Sequence, residues 1–258
     1  SRRPRSTSAS TNMVISCQDW ETQVTEYSAR GKPLRQIATE ADARMMTAPR
    51  RKEHIRHAAV ADILLAAEAV FARAGFSGAT MAAIAEGAGL PKANLHYYFR
   101  TKQDLYRAVL DHTLRLWLAE TSGIRREAHP ATALGDYIRA KMRLTATHPD
   151  ASRVFANEML HGAPQIGGYL RRELKALVDE KSLVIEHWAA LGLMDRVDAR
   201  HLFFTIWAST QTYADFQPQV CAVLGKANVT RVEFERATAQ LVRLVLKGCG
   251  VAGYADGG

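Results

Sequence analysis

The chain of 258 residues carries 34 Lys and Arg against 26 Asp and Glu, a formal net charge of +8 that favours an anionic partner such as nucleic acid. Its apolar fraction of 47% is enough for a sizeable core and excludes a chain that is disordered throughout. The three scattered cysteines have neither zinc-binding nor disulfide spacing, and no apolar run is long enough to span a membrane, so we expect a cytoplasmic protein.

The N-terminal part of the chain divides into a tail and a first helix. Residues 1–49 lack sustained apolar periodicity, and we expect them to form a disordered tail. From Val60 onwards, apolar residues recur at steps of three and four, which predicts a helix that ends at Gly75. Thr80 is the predicted N-cap of a short second helix that continues to Ala88.

A turn and further helices follow. Gly89 is predicted to turn the chain in a left-handed conformation, and Pro91 to begin a third helix that ends near Tyr98. Thr101 is the predicted cap of a long fourth helix that continues to about Ser122. Apolar periodicity predicts the remaining helices at 131–147, 151–161, 165–191, 198–220 and 230–248. The predicted fold class is therefore all-α, with three helices in front of a larger bundle.

The stretch AIAEGAGLPKANLHYYF has the form of a helix, a tight turn and a second helix. Ile84, Leu95 and Phe99 are predicted to pack inward, which leaves the polar side chains of the second helix exposed. Lysine can reach guanine in the major groove, asparagine can pair with adenine, and a phenol or imidazole can bind phosphate. The predicted reading side chains are Lys92, Asn94, His96 and Tyr97. For any one of these residues, an ordinary solvated helix face is the alternative.

A basic segment precedes the first helix and is suited to the neighbouring DNA backbone or minor groove. Its residues are Arg50, Arg51, Lys52 and Arg56. Because the segment lacks interleaved apolar residues, we do not expect it to bind membranes. The basic arm, the tight turn and the polar helix together predict a protein that binds double-stranded DNA.

Residues 58–110 resemble the DNA-binding domain of TetR-type regulators through the run IAEGAGLPKANLHYYFRTKQDL. The resemblance implies an N-terminal three-helix helix-turn-helix domain at 50–104 and a C-terminal helical ligand-binding and dimerisation bundle at 105–250. Two residues depart from the usual pattern: Pro91 replaces a common Ser or Thr cap, and His96 replaces a common phosphate-binding Tyr. The contacts to DNA that the resemblance implies are made by Thr80, Lys92, Asn94, Tyr97 and Lys102.

The larger bundle resembles the pyrimidine-utilisation regulators of the same family. The resemblance lies in the segments DYIRAKMRLT, HPDASRVFANEML, ELKALVDEKS and HLFFTIWASTQTYADF. It implies a homodimer with an effector pocket inside the bundle, and a pyrimidine such as uracil or thymine as the effector. No metal or redox cofactor is expected.

Candidate pocket residues can also be chosen from helical spacing alone. Phe203, Trp207 and Gln211 lie four residues apart on one helix face, where rings can stack on a flat heterocycle and an amide can bond its edge. Trp117 on the fourth helix is a candidate for the opposite wall. Further candidates are Phe155, Asn157 and Met159. The alternative is that an aromatic stripe at this spacing belongs to the core.

The last two predicted helices carry apolar faces that are suited to an intermolecular four-helix bundle. These faces contain Leu202, Ile206 and Tyr213 in one helix, and Phe234, Ala237, Leu241, Leu244 and Val245 in the other. A symmetric dimer would carry two DNA readers, so we expect the operator to be a palindrome.

The sequence favours a ligand-responsive transcriptional regulator, and a repressor that its ligand releases from DNA. One alternative is an architectural DNA-binding dimer whose bundle binds no effector. A helical enzyme is the other, but the sequence contains no HExxH motif, phosphate-binding loop, GxSxG elbow or dinucleotide fingerprint. We therefore expect no catalytic residues.

Overall fold

The computed structural model describes the backbone of residues 48–254 and the side chains from Arg56 to Tyr254. This part of the chain is helical and contains no strand, which confirms the predicted all-α class. The front helices are α1 (Ala48–Gly78), α2 (Met81–Gly87) and α3 (Lys92–Tyr98). The bundle contains α4 (Lys102–Ala119), α5 (Pro130–Thr147), α6 (Pro149–Leu160), α7 (Gly167–Tyr169), α8 (Lys175–Ala190), α9 (Ala199–Asp215), α10 (Gln217–Leu224) and α11 (Arg231–Gly248).

The predicted caps and turns of the front helices are confirmed, with one shift. The Thr80 hydroxyl accepts a hydrogen bond from the Ala83 N–H at 3.1 Å, as expected of an N-cap. Gly89 has a φ of +64°, which lets the chain turn sharply between α2 and α3. Pro91 was predicted to be the first helical residue, but its extended ψ of 141° makes it the N-cap, and α3 begins at Lys92.

The first helix is longer than apolar periodicity predicted. It begins at Ala48, upstream of Val60. The residues between these two positions are mostly polar helix formers, so they show no apolar stripe by which the earlier start could be predicted. Gly75 interrupts it with a φ of +66°, as predicted, and one further turn continues to Gly78.

Helix α4 connects the front helices to the bundle. Thr101 caps it in a capping box: the Asp104 N–H donates to the Thr101 hydroxyl at 3.0 Å, and the Thr101 N–H donates to the Asp104 carboxylate at 3.2 Å. The α-helix ends at Ala119, earlier than the predicted Ser122, and a 3₁₀ turn covers Glu120–Gly123. Its 18 residues span about 27 Å.

The single helix predicted at 198–220 is two helices, α9 and α10, which meet at Phe216. Pro218 explains the break, because a proline removes one backbone hydrogen bond and its ring clashes with the carbonyl four residues earlier. That carbonyl belongs to Ala214 and accepts a hydrogen bond from Arg153 Nε at 3.2 Å instead.

Two hydrophobic clusters hold the helices together. The first joins the three front helices to α4 and α6, and its fully buried members include Ile63, Ile84, Leu95 and Leu110. The second lies among α5, α8, α9 and α11 around Trp188, which has no exposed surface. Helices on both sides of the boundary predicted at residue 104 therefore share one core.

A buried carboxyl group lies where α1 packs against α6. Glu68 is 4% exposed, and burial, together with the nearby Asp150 charge, raises its pKa from 4.5 to about 8. Folded protein therefore holds a proton that unfolded protein releases between pH 4.5 and pH 8. The sign follows from linkage: Glu68 makes the free energy of unfolding decrease as the pH rises through this window.

We predict that Glu68→Gln removes this decrease. Between pH 5 and pH 7, the free energy of unfolding of the variant should fall less steeply than that of the wild type, by about 1.4 kcal/mol per pH unit. Urea unfolding followed by circular dichroism at fixed protein concentration measures both slopes. Glu86→Gln, a change at an exposed glutamate of α2, is the control and should keep the wild-type slope. Equal slopes for wild type and Glu68→Gln would contradict the assignment.

Candidate DNA-reading surface and ligand cavity

Helix α3 is anchored in the core by one side chain, and its polar side chains are exposed. Leu95 is fully buried, whereas Lys92, Asn94 and His96 are exposed. Tyr97 is 78% exposed, a high value for a large aromatic side chain in a folded protein. The arrangement is the one that the sequence predicted for a helix that enters the major groove.

Two of the predicted contact residues, His96 and Thr80, make local hydrogen bonds that leave one polar atom of each free to bind DNA. The His96 Nδ1 lies 3.2 Å from the Arg100 carbonyl oxygen, to which it donates when protonated, and this contact leaves Nε2 for another partner. The Thr80 hydroxyl accepts the capping hydrogen bond through its oxygen and keeps its own proton for donation. The predicted contacts of Arg50, Arg51 and Lys52 lie outside the described side chains, while Arg56 is exposed.

Lys102 is placed differently from the other predicted contact residues. Its ammonium group donates to the backbone carbonyl oxygens of Phe76 at 2.6 Å, Ala79 at 2.9 Å and Ser77 at 3.2 Å. It also lies 4.6 Å from the centroid of the Phe76 ring. A phosphate contact by this side chain would require it to break one or more of these hydrogen bonds.

A cavity of about 380 Å³ lies inside the bundle, next to the end of α4 that is remote from the front helices. Its size is within the usual range for small-molecule sites. Five of the seven predicted pocket residues line it: Trp117, Phe155, Met159, Trp207 and Gln211. The other lining residues are Leu114, Leu118, Tyr137, Lys141, Ala156, Leu160, Leu170, Leu174, Asp215 and Phe216.

Two of the predicted pocket residues do not line the cavity. Phe203 is 1% exposed and packs behind Trp207, with their ring centroids 5.9 Å apart, so it belongs to the second core cluster. Asn157 does not reach the cavity, because Phe155, Ala156 and Met159 form the face of α6 that does. For Phe203, helical spacing identified the helix correctly but not the side of it that faces the cavity. Asn157 lies two residues from both Phe155 and Met159, a separation that turns a side chain to a different face of a helix.

The polar end of the cavity contains a lysine that the sequence analysis missed. Lys141 is 1% exposed, and its Nζ lies 3.8 Å from the centroid of the Trp117 ring. Burial lowers the pKa of Lys141 to about 7, and the negative charges of Asp215 and Glu120 oppose this shift. The cavity therefore offers an amine that can change its charge near neutral pH.

Two further polar groups, Tyr137 and Asp215, line the same cavity. Burial raises the pKa of Asp215, whose carboxylate accepts a hydrogen bond from the Ser152 hydroxyl at 2.6 Å. The Tyr137 hydroxyl accepts a hydrogen bond from Trp207 Nε1 at 2.7 Å, which fixes the plane of the indole ring. With Gln211, the cavity contains a cationic donor, an anionic acceptor, an amide and a hydroxyl.

Helical spacing contained a signal for these missed residues. Asp215 continues the four-residue series of Trp207 and Gln211, and Tyr137 and Lys141 lie four apart in DYIRAKMRLT. A lysine at such a position is solvated in most helices, so only the tertiary structure, which places its ammonium group over the Trp117 ring, reveals that this one is buried.

The segment between α6 and α8 connects the cavity with the base of α4. Leu170 and Leu174 of this segment line the cavity, and a π-helical turn covers Leu170–Leu174. In the same segment, the Gln165 side-chain oxygen accepts hydrogen bonds from Gln103 and Arg107 of α4, both at 2.9 Å. One short segment thus contacts both the cavity and the first turns of α4.

Comparison with known proteins identifies the class of regulator. The family model described as "Bacterial regulatory proteins, tetR family" matches residues 63–109, and the model described as "YcdC-like protein, C-terminal region" matches residues 110–252. The chain belongs to the TetR family of helix-turn-helix transcriptional regulators, which bind DNA. Within the described residues, no helix is long and apolar enough to cross a membrane.

The chain is also similar to individual regulators of known sequence or structure. Over 186 residues the chain is 45% identical to the HTH-type transcriptional regulator RutR of Escherichia coli, covering 72% of this chain and 88% of RutR. It is 30% identical to the HTH-type transcriptional repressor NicS of Pseudomonas putida over 101 residues, which are 39% of this chain and 48% of NicS. The solved structure of the regulator SCO4942 from Streptomyces coelicolor superposes with a TM-score of 0.56 at 26% identity and covers 72% of this chain and 96% of that one.

We predict that the exposed side chains of α3 carry operator affinity. Lys92→Ala and Tyr97→Ala should each weaken binding to an operator selected from random-sequence duplexes by about tenfold to hundredfold, because each removes a DNA contact. Fluorescence anisotropy measures the affinity, and size-exclusion chromatography should show an unchanged oligomeric state. Arg125→Ala, beyond the far end of α4, is the control and should bind like the wild type. Wild-type affinity in both α3 variants would contradict the placement of the reading helix.

Proposed function

We propose that the protein is a homodimeric repressor that binds a palindromic operator and leaves it when a pyrimidine occupies the cavity. One observation carries the effector part of this proposal: four polar groups and two indole rings meet in a cavity whose wall is α4. A cavity that served only as core would not bring together a buried lysine and a partly buried aspartate, because burial of charge is costly.

The exposed surface of α3 supports the DNA-reading part. We assign base contacts to Lys92 and Asn94, and phosphate contacts to Thr80, His96 and Tyr97. The basic residues at the start of α1 are assigned to the neighbouring backbone or minor groove: Arg50, Arg51 and Lys52.

The chemistry of the cavity supports a flat, uncharged effector with both donors and acceptors. Trp117 and Trp207 supply faces on which an aromatic ring can stack. A pyrimidine such as uracil or thymine has alternating carbonyl and N–H groups on its edge, and the Gln211 amide can both donate to and accept from such an edge. Lys141 and Asp215 carry opposite charges, so a neutral ligand leaves them balanced, whereas a charged one does not.

Exposed apolar side chains on α9 and α11 support the dimer. Phe204 is 52% exposed and Leu244 is 56% exposed, although most large apolar residues of these helices are partly or fully buried. Ile206, which the sequence analysis included in this contact face, is instead buried in the second core cluster. Burial of Phe204 and Leu244 in a symmetric contact would still join α9 and α11 of two subunits in a four-helix arrangement. Such a contact places two copies of α3 on one operator.

Two physical connections support communication between the cavity and the DNA reader. Helix α4 lines the cavity with Leu114 and Trp117, and at its other end Leu105 packs in the core of the front helices. The hydrogen bonds from α4 to Gln165 form the second connection. A ligand that changes the position of either connection moves the two copies of α3 relative to each other, which lowers the affinity for DNA.

The first test of this proposal is titration of the purified protein with uracil and thymine. We expect saturable quenching of tryptophan fluorescence, since two of the four tryptophans line the cavity. Gln211→Ala should weaken uracil binding by about tenfold, the cost of one lost hydrogen bond to a buried edge. Asn157→Ala removes an amide that does not reach the cavity and should bind like the wild type.

The possible outcomes distinguish two questions: whether a pyrimidine binds, and whether its binding controls the affinity for DNA. If neither pyrimidine changes the fluorescence, the pyrimidine assignment is wrong and the DNA-binding assignment is unaffected. If uracil binds but leaves operator affinity unchanged at any concentration, the protein is a DNA-binding dimer without effector control. A dependence of operator affinity on uracil supports the whole proposal.

We predict that Gln165 transmits a large part of the effect of the ligand. Typical coupling between two sites changes affinity by about 5- to 150-fold. In Gln165→Ala, the factor by which uracil weakens operator binding should fall at least about threefold, while the separate affinities for uracil and for operator change little. Gln219→Ala, at an exposed position of α10, is the matched control. An unchanged coupling factor would leave α4 packing as the only connection.

A further inference from the structure

Lys102 is the first residue of α4, and its side chain ends at the C-terminus of α1 rather than at the surface. An ammonium group has three donors, and three carbonyl oxygens surround this one, those of Phe76, Ser77 and Ala79. The carbonyl groups at the end of a helix lack intrahelical partners and carry the negative end of the helix dipole. The lysine therefore satisfies acceptors that would otherwise lose their hydrogen bonds.

Two of these carbonyl groups, those of Phe76 and Ser77, lie in the last turn of α1, and the third, that of Ala79, lies in the connection to α2. Ala79 directly precedes Thr80, the N-cap of α2, so Lys102 holds the residue from which α2 departs. Helix α2 in turn packs its buried Ile84 in the same cluster as Leu95 of α3. The position of the reading helix thus depends on α2, and the start of α2 is fixed to α4 by this side chain.

An aromatic cluster holds the lysine in place. The Phe76 ring lies 4.6 Å from the Lys102 Nζ and 4.9 Å from the ring centroid of Tyr106, one turn further along α4. Phe71 of α1 completes the cluster, with its ring centroid 4.9 Å from that of Tyr106. Movement of the lysine towards a DNA phosphate would remove the ammonium group from this site and from all three carbonyl groups.

We propose that Lys102 is a positioning residue for DNA recognition: it fixes α2 and α3 to α4 and makes no contact with DNA phosphate. This role differs from the contact that family resemblance implied for the same residue. It rests on DNA binding by the protein and not on the effector proposal, so the two can fail separately.

Substitution of arginine distinguishes the two roles. Arginine keeps the positive charge and can bind phosphate, but its planar fork cannot direct three donors from one nitrogen to three carbonyl groups. We expect Lys102→Arg to weaken binding to the selected operator by about tenfold or more, with the affinity for unrelated duplex DNA unchanged. Lys175→Arg, the same change at an exposed lysine at the start of α8, is the matched control and should bind the operator like the wild type.

Substitution of methionine adds a second measurement, the salt dependence of binding. The plot of log K against log salt concentration has a negative slope, and each lost phosphate contact reduces the magnitude of this slope by about 0.9. For Lys102→Met we expect weaker operator binding with the wild-type slope, because no phosphate contact is removed. The ratio of operator affinity to non-specific affinity should fall, which a loss of overall stability alone would not produce.

Three results would overturn the proposal. One is wild-type operator affinity in Lys102→Arg, as expected of a phosphate contact. Another is a salt-dependence slope in Lys102→Met whose magnitude is smaller by about 0.9 per subunit, with a parallel loss of non-specific affinity. The third is the absence of a folded protein in circular dichroism of Lys102→Arg, since the lysine would then be required for the fold itself.

Discussion

Helix α4 packs in one core with the front helices α1, α2 and α3 and lines the cavity with its other end. Because protein cores are close-packed, a shift of one end of such a helix is transmitted along its length instead of being absorbed. The helix is also fixed at its first turn, by the Thr101–Asp104 capping box and by Lys102. The position of the DNA reader relative to the bundle depends on these contacts.

Burial of charge is the second constraint on the bundle. Lys141 lies over the Trp117 ring and shares the cavity with Asp215. Burial lowers the pKa of Lys141 and raises the pKa of Asp215, and both shifts favour the uncharged form of the side chain. Such groups lower stability unless hydrogen bonds or a ligand compensate them. A ligand that supplies those hydrogen bonds would offset this cost, and the gain would contribute to its binding free energy. The same groups that weaken the fold can therefore make the cavity selective.

Much of the fold was predictable because it depends on local rules. Thr80, Gly89 and Thr101 act as caps and turns through their own backbone preferences, which the sequence displays directly. The polar face of α3 was predictable for the same reason, since the buried Leu95 defines which side chains point outward. The break at Pro218 was also visible in the sequence, but the prediction of one helix at 198–220 overlooked it.

The cavity was predictable only in part, because its composition depends on how separate helices face each other. Spacing along one helix identified Trp207 and Gln211 but also selected Phe203, which lies behind them in the core. Lys141 and Lys102 show the same limit: each looks like a solvated lysine in the sequence, and long-range packing gives each a buried or hydrogen-bonded role.

Coupling between the cavity and the DNA-binding helices must be reciprocal, so it can be measured from the side of the ligand. Isothermal titration calorimetry can measure uracil binding to the free protein and to the protein saturated with operator. Coupling requires uracil to bind the operator complex more weakly than the free protein, by the same factor by which uracil weakens operator binding. Equal uracil affinity in the two titrations would contradict it.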